Sequence, residues 1–339
     1  MKITFLFQQF IFISLVFLTS IPTLNSTDII ENLQGETTQY FRSLFHDLKK
    51  ESLDQFGLFT YQNEAWVKDI QVAHNSKTIL LVHGLDDPGF LWNQLTEVLI
   101  KKGFHVIRLN YPNDQAITKS TKYLAEQLVL LKEQGIHKLK VIAHSMGGII
   151  ARDVLTHSDY YHNFKDGFES GPIIQHLITV GTPNNGSHFA NFRLLSELGE
   201  QFLHLINGEA NFLGFLYDGY GQAGKDLLPE STYLKELNNR PNLTIPTTII
   251  AGKIGKLHSQ NLSQTLKDWL DPSLKVDQLL TETSNLMGDG VVTIESAKLK
   301  NITDFHIVDG NHISILTNFN SSQQSPSSFP IILKTLETH

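Results

Sequence analysis

The chain has 339 residues, 41% of them apolar, and a formal net charge of −7. This length suits one large α/β domain or two small domains, and it is enough to bury a hydrophobic core. The negative charge argues against a nucleic-acid partner, which normally requires a basic face. The sequence contains no cysteine, which excludes a disulfide, a thiolate nucleophile and a cysteine-ligated metal.

Residues 1–26 have the pattern of a signal peptide. Lys2 precedes an apolar stretch whose uninterrupted part runs from Phe10 to Leu18. That stretch is shorter than the roughly 20 apolar residues of a membrane span. Small and polar residues follow, but no A-x-A sequence marks a cleavage site. We therefore expect secretion or export to the periplasm, and an uncleaved N-terminal membrane anchor is the alternative.

The next segment, residues 27–76, is expected to hold N-terminal helices and edge strands. Apolar residues recur near helical spacing as far as about Leu53, with a break at Gly35. Two short strand-like pieces, "GLFTY" and "WVKDIQVA", follow them. This segment therefore leads into the main sheet.

From Lys77 onward, strand-like runs alternate with helical patterns. Runs that are apolar on both faces are typical of strands buried inside a parallel sheet. The strand-like runs are "KTILLVHG", "FHVIRLNY", "HKLKVIAH", "HLITVG", "TIPTTIIAG" and "ITDFHIVDG". The helical segments are residues 91–101, "ITKSTKYLAEQLVLLKEQG", "GGIIARDVL" and "PIILKTLE". The alternation predicts a mostly parallel central sheet flanked by helices, over residues 77–187 and 241–339.

Residues 188–240 interrupt this alternation with a mostly helical insertion that is rich in Phe and Leu. One interpretation is a cap or mobile lid with an apolar face. The other is a set of helices packed on the core.

Ser145 is the candidate nucleophile, because it lies between a predicted strand and a predicted helix. Ala143 and Gly147 flank it at two residues' distance, as in a G-x-S-x-G elbow with alanine in the first glycine position. Small residues there let the strand and the helix approach closely while the serine hydroxyl stays at the tip of the turn. A simple helix N-cap is the alternative interpretation of this serine.

Two backbone N–H groups are the candidate oxyanion donors. Met146 directly follows the serine, so its N–H would point into the oxyanion site. His83 and Gly84 directly follow an earlier buried strand, as in a lipase oxyanion loop, and the N–H of Leu85 would then be the second donor. In this interpretation His83 is structural and is not the catalytic base.

A serine hydroxyl also needs a base, and the base needs an acid to orient it. Asp289 is the candidate acid, because it stands between glycines and before β-branched residues late in the chain. An ordinary Asp-Gly turn is the alternative. About 37 residues separate it from Ala251, near the end of the strand before it. Asp271 and Asp277 are weaker candidates.

His312 is the candidate base, because it lies in a turn just after the last predicted strand. His306 lies inside that strand and is expected to be structural. The resulting chain order is serine, acid, histidine, the order expected of an α/β-hydrolase. Ser145, Asp289 and His312 therefore form a predicted catalytic triad.

Four motifs together resemble the lipase-type serine esterases of the α/β-hydrolase superfamily, in particular secreted bacterial triacylglycerol lipases and GPI inositol-deacylase-like esterases. They are "HG" after the first core strand, "HSMGG", "GTPNNGS" and "DGVV", and the resemblance covers residues 77–316. That family often has histidine where Asn184 stands and glycine where Ala143 stands, and neither change removes a catalytic group.

The resemblance implies an α/β-hydrolase fold and hydrolysis of carboxylic esters through a covalent acyl-enzyme. If the insertion at residues 188–240 is a mobile lid that offers its apolar face to acyl chains or to a lipid surface, it would favour lipid substrates, whereas a packed cap would favour small soluble esters. It implies no cofactor. Some lipases of this kind carry a structural calcium ion, but no ligands for one can be identified in this sequence. Neither an H-E-x-x-H motif nor a clustered His/Asp site indicates a metal-dependent hydrolase.

The sequence therefore predicts a secreted lipase or esterase that cleaves acyl esters of lipids. Its partners would be a lipid or small ester substrate and, transiently, a lipid surface; oligomeric state cannot be inferred from the sequence. An acyltransferase or a thioesterase of the same fold is the alternative within enzymes. A non-catalytic hydrolase-fold protein that binds a lipid or a partner is the alternative from another class.

Overall fold

The structure, a computed structural model, describes residues 56–68, 70, 77–85, 90–113, 115–160, 171–187, 222–254, 288–318 and 325–338. These residues belong to one compact unit. The predicted signal peptide, the predicted N-terminal helices and residues 188–221 of the predicted cap lie outside them. So do the weaker acid candidates Asp271 and Asp277.

Eight strands form one sheet in the described part of the chain. They are β1 (Gly57–Gln62), β2 (Ala65–Val67), β3 (Lys77–Val82), β4 (Phe104–Asn110), β5 (Lys138–His144), β6 (Ile173–Val180), β7 (Thr247–Lys253) and β8 (Phe305–Asp309). Their spatial order is β2-β1-β4-β3-β5-β6-β7-β8. Strand β1 runs antiparallel to both β2 and β4, and the pairs from β4 to β8 are parallel. The mostly parallel sheet predicted from the sequence is confirmed.

Helices cover both faces of this sheet. The described α-helices are α1 (Asn93–Lys101), α2 (Ile117–Glu133), α3 (Met146–Thr156), α4 (Gln222–Asp226), α5 (Thr232–Asn239), α6 (Ile294–Ala297) and α7 (Phe329–Thr338). A short 3-10 turn, Phe90–Trp92, precedes α1. None of the described helices is both long and apolar enough to cross a lipid bilayer.

Alternate residues of the strands enter two different cores, as the two-residue period of a strand requires. Leu80 and Val82 of β3 pack in a cluster with residues of α2, α3 and α5. Ile79 and Leu81 pack on the opposite face with residues of α1 and α7. Helix α5 therefore packs on the same face as the helix that follows β5.

The order of the strands brings three chain segments to one edge of the sheet. Strand β3 has β4 on one side and β5 on the other, so the connections diverge at β3. In a parallel sheet, ligands bind at the carboxyl ends of the strands next to such a switch point. Val82 pairs with Ala143, and His144 pairs with Val180. The chain therefore leaves β3, β5 and β6 side by side.

Candidate active site

Ser145 forms the sharp turn between β5 and α3. Its backbone has φ 53° and ψ −126°, a conformation that costs a residue with a side chain of order 1–3 kcal/mol. The N–H of Ser145 donates to the carbonyl oxygen of Val180 at 2.9 Å, which ties the turn to the end of β6. The structure thus places Ser145 on a strained strand-to-helix turn.

Two glycines after the serine are required by close packing. A Cβ added at Gly147 would lie 2.4 Å from the carbonyl oxygens of both Val82 and His83. A Cβ at Gly148 would lie 2.0 Å from Thr182 Oγ1. Helix α3 therefore starts against the backbone that leaves β3 and against the segment that follows β6.

The predicted oxyanion loop passes directly beside Ser145. A Cβ added at Gly84 would lie 2.7 Å from Ser145 Cβ and 3.3 Å from Ser145 Oγ. Leu85 follows Gly84 on this loop, and Met146 is the first residue of α3. Gly84 and Ser145 lie close together, and each of the two predicted oxyanion residues, Leu85 and Met146, directly follows one of them.

Asp289 is fully buried, and both oxygens of its carboxylate have hydrogen-bond partners. Oδ1 accepts hydrogen bonds from the N–H groups of Val291 at 2.9 Å and Val292 at 2.7 Å. The tight turn around it needs glycine at position 288, where φ is +59° and an added Cβ would lie 2.0 Å from the Val292 carbonyl oxygen. Two backbone N–H groups therefore fix the direction of the second carboxylate oxygen.

The acid turn returns to the end of β7 despite its distance along the chain. The N–H of Ile254 donates to the Gly288 carbonyl oxygen at 2.8 Å. A Cβ added at Gly252 would lie 2.8 Å from Asp289 Cβ. Asp289 therefore occupies the position beside the end of β7 that an acid immediately after this strand would have.

His312 meets the second oxygen of this carboxylate. Its Nδ1 lies 2.7 Å from Asp289 Oδ2, and its backbone N–H donates to the Asp289 carbonyl oxygen at 2.9 Å. An Nδ1–H that donates to the carboxylate leaves the lone pair of this ring on Nε2. The structure thus brings the sequence-predicted acid and base together in a buried contact.

Gly181 closes the space beside this pair. Its φ is +57°, and an added Cβ would lie 3.0 Å from Asp289 Oδ2 and 3.1 Å from His312 Nδ1. Glycine at this position, the first residue of "GTPNNGS", therefore leaves room for the hydrogen bond between the two side chains.

His144 is a further residue of the site that the sequence did not indicate. Its Nε2 lies 2.9 Å from the His312 carbonyl oxygen, and the two rings are 4.6 Å apart between centroids. Burial, followed by the neighbouring His312, lowers the pKa of His144 well below its usual value. Its ring is therefore neutral near pH 7, with Nε2–H as the donor. The alternation of side chains along β5 places His144 on the same face as Ile142. That face is all that the sequence could indicate about its position.

The "GTPNNGS" segment anchors the acid turn to the rest of the fold. Ser187 Oγ donates to the carbonyl oxygen of Val291, two residues after Asp289, at 2.7 Å. Asn184 is fully buried; its Oδ1 accepts from Arg152 Nη1 at 2.9 Å and its Nδ2 donates to the Ala297 carbonyl oxygen at 2.8 Å. Asn184 thus connects α3 with α6.

Groups of three or more His, Asp or Glu side chains that could hold a metal ion do not occur among the described residues. The acidic and imidazole groups of this edge instead bond to each other and to backbone groups. The arrangement therefore suits proton transfer at Nε2 of His312, because the buried carboxylate of Asp289 orients the imidazole ring through Nδ1.

Comparisons with known proteins agree with this architecture. Residues 110–206 match the family described as the PGAP1-like α/β domain. The crystal structure of Bacillus licheniformis lipase BlEst2 in its mature form is similar to this chain with a TM-score of 0.54 and 22% identity, over 82% of this chain and 97% of that one. A search of curated proteins found no match.

Two further solved structures show more limited coverage. The propeptide form of the same lipase has a TM-score of 0.52 at 22% identity, over 82% of this chain and 53% of that one. Phospholipase PlaB from Legionella pneumophila has a TM-score of 0.48 at 16% identity, over 78% of this chain and 60% of that one. At such identities the likeness to the lipase BlEst2 shows the fold. The chain therefore has an α/β-hydrolase fold, and its residues 110–206 resemble the PGAP1-like α/β domain.

Proposed function

We propose that this protein is a serine carboxylester hydrolase that cleaves acyl esters of lipids through an acyl-enzyme. Ser145 is the nucleophile, His312 the general base, and Asp289 the acid that orients it. The observation that carries the proposal is the buried 2.7 Å contact between His312 Nδ1 and Asp289 Oδ2, at the sheet edge where Ser145 has its strained backbone. Adjacent residues support this assignment, because Ser145 N–H bonds to the carbonyl oxygen of Val180, and the next residue, Gly181, lies against the Asp289–His312 pair.

The acylation half-reaction follows from these groups. His312 Nε2 accepts the proton of Ser145 Oγ as Oγ bonds to the ester carbonyl carbon. The carbonyl oxygen becomes an oxyanion, which the N–H groups of Leu85 and Met146 stabilise. One such donor is worth about 3 kcal/mol of transition-state stabilisation in comparable enzymes. The C–O bond to the alcohol then breaks, and the protonated His312 gives its proton to the leaving alkoxide.

The deacylation half-reaction uses the same groups with water as the nucleophile. His312 removes a proton from water as the water oxygen bonds to the acyl carbon. The bond from this carbon to Ser145 Oγ breaks, His312 returns the proton to the serine, and the carboxylic acid leaves. Asp289 stays ionised and stabilises the imidazolium that forms in each half-reaction.

Two observations favour a lipid ester as the substrate. The similar fold of a protein described as a lipase and the Phe- and Leu-rich sequence of residues 188–221 both favour an acyl chain as part of the substrate. Transfer of the acyl group to an alcohol would use the same first half-reaction. The ratio of hydrolysis to transfer therefore has to be measured.

The test is hydrolysis of p-nitrophenyl butyrate and p-nitrophenyl palmitate by the full chain. We expect Ser145→Ala to lower kcat by about 10⁴-fold or more, while Ser158→Ala, an exposed serine, leaves it unchanged. A higher kcat/KM for palmitate supports a lipase, and a higher value for butyrate supports an esterase. Retention of activity in Ser145→Ala would contradict the proposal, and added alcohol would reveal an acyltransferase through ester products.

A further inference from the structure

The carbonyl oxygen of Gly84 accepts hydrogen bonds from two buried side chains. His83 Nδ1 lies 2.8 Å from this oxygen, and Asn113 Nδ2 donates to it from 3.3 Å. Both side chains are buried, with 4% and 6% of their surface exposed. Asn113 lies in the short segment that follows β4. This segment therefore bonds to the loop that follows the neighbouring strand, β3.

A third contact secures the same loop. Tyr111 donates its hydroxyl to the carbonyl oxygen of His83 at 2.6 Å, and its ring stacks on the His83 imidazole with centroids 4.3 Å apart. Burial lowers the pKa of His83 to about 4, although its hydrogen bond to the Gly84 carbonyl oxygen acts in the opposite direction. The imidazole is therefore neutral near pH 7, and its one proton is on Nδ1, where the Gly84 carbonyl oxygen requires a donor.

These contacts determine where the next N–H group points. The C=O of Gly84 and the N–H of Leu85 belong to one planar trans peptide, so they point in opposite directions. Two donors on the oxygen therefore hold the Leu85 N–H on the other side of the peptide. Hydrogen bonds to a carbonyl oxygen also polarise the amide and strengthen its N–H as a donor.

We propose that His83 and Asn113 are positioning residues that orient and polarise the Gly84–Leu85 peptide so that the Leu85 N–H is held ready for the oxyanion. This inference rests on the proposed function, and it adds two residues that act through the backbone. The nucleophile lies within reach of this peptide, because a Cβ on Gly84 would lie 3.3 Å from Ser145 Oγ. Neither side chain touches the substrate in this proposal.

The test compares His83→Phe and Asn113→Leu, which retain much of each shape but remove the donor. Gln115→Ala is the matched control, because this amide of the same loop bonds to the Pro112 carbonyl oxygen instead. We expect each donor variant to lower kcat by about ten-fold or more with little change in KM. In the double variant kcat should fall by about 10²–10³-fold, which is the loss caused by removing one oxyanion donor completely.

Active-site titration with a fluorophosphonate separates positioning from folding. All rates are expressed per titrated serine, so a purely structural role would lower the titrated fraction and leave kcat per site unchanged. An acyl trifluoromethyl ketone, which forms a tetrahedral oxyanion on the serine, should lose affinity by the same factor as kcat/KM falls. Values of kcat per site within two-fold of those of Gln115→Ala in both donor variants would overturn the inference.

A spectroscopic readout keeps the inference apart from the proposed function. The sequence contains two Gly-Leu pairs, Gly57–Leu58 and Gly84–Leu85, so labelling with ¹³C′-glycine and ¹⁵N-leucine yields two peptide signals. We expect His83→Phe and Asn113→Leu to move the Gly84–Leu85 signal and to leave the other in place. If the wild type does not hydrolyse esters, the proposed function fails. An unmoved Gly84–Leu85 signal overturns the inference by itself.

Discussion

The ring of His144 lies against the ring of His312, and its Nε2 is 2.9 Å from the His312 backbone carbonyl oxygen. The residue that precedes the candidate nucleophile therefore holds the turn that carries the candidate base. Neutral His144 can do this without placing a second positive charge beside an imidazolium. A neutral histidine thus connects the end of β5 with the turn that follows β8.

Replacing His144 should loosen this connection. In His144→Phe the ring volume is kept but the buried carbonyl oxygen of His312 loses its donor, which costs about 1–3 kcal/mol. We expect a lower free energy of unfolding in urea and a lower kcat per titrated serine. His144→Gln restores a donor and should recover part of both losses. Equal kcat in His144→Phe and the wild type would show that this contact does not position His312.

The protein should lose stability in mild acid through its buried histidines. Burial lowers the pKa of His83 to about 4, whereas an unfolded histidine has a pKa of about 6.5. Below about pH 6.5 the unfolded chain therefore binds a proton that the folded chain excludes, and stability falls until about pH 4. For His83 alone this amounts to about 3 kcal/mol, and His144 acts in the same direction.

Urea unfolding at about pH 7.5 and about pH 4.5 measures this effect. We expect His83→Phe to lose less stability between the two pH values than the wild type does. His137→Gln, at an exposed histidine, should retain the full pH dependence. A wild-type dependence that survives unchanged in His83→Phe would assign the acid sensitivity to other groups.

Gly181 should be required for the Asp289–His312 contact, and alanine tests this. The new Cβ would lie 3.0 Å from Asp289 Oδ2 and 3.1 Å from His312 Nδ1. These two atoms would therefore have to move away from the Cβ by a few tenths of an ångström, which would disturb the hydrogen bond between them. We expect Gly181→Ala to lower kcat per titrated serine by about ten-fold, because a displacement of about 1 Å can cost about 10²-fold and this displacement is smaller.

Gly103→Ala is the matched control for backbone strain. Gly103 also has a positive φ, +82°, but an added Cβ there meets nothing within 4 Å. Both variants should lose the 1–2 kcal/mol, roughly, that a left-handed residue costs, and only Gly181→Ala should lose activity. Similar kcat values in the two variants would show that the Asp289–His312 pair tolerates the added methyl group.

Much of the fold could be predicted because its signals are local. Strands such as β3 and β5 are apolar on both faces, which only a sheet covered on both sides explains. The turn at Ser145 could be predicted because close packing requires the small residues around it. His312 could be predicted from its place after the last strand, since parallel strands bring their carboxyl ends to one edge.

The parts that could not be predicted depend on contacts between distant segments. The turn of Asp289 returns to the end of β7 through backbone bonds such as Ile254 N–H to Gly288, which no local pattern encodes. His144 and Asn113 act on backbone carbonyl groups of residues far away in the sequence. Strand alternation indicates the face on which such a side chain lies, but it does not indicate what meets it there. The oxyanion roles of Leu85 and Met146 stay predictions.

A buried carboxylate connects α3, the helix after Ser145, with α5. Asp153, in α3, has 1% of its surface exposed. Its Oδ2 accepts from Thr121 Oγ1 at 2.7 Å and from the Tyr233 hydroxyl at 2.6 Å, and Arg240 pairs with Oδ1. Burial, and then the charge of Asp153, raises the pKa of Tyr233 well above its usual value. The hydroxyl therefore remains a donor that holds α5 on α3.

Tyr233→Phe should weaken the fold but not the chemistry. Removing one hydrogen bond to a buried charged group costs about 1.5–3 kcal/mol, which urea unfolding would measure as a lower midpoint. Asp153 lies eight residues after Ser145 on α3, about 12 Å along a helix, so kcat per titrated serine should change less than two-fold. Tyr123→Phe, the same substitution at a half-buried tyrosine of α2, is the control and should leave both values unchanged. A fall in kcat with unchanged stability would instead mean that α5 helps to shape the site at which the substrate binds.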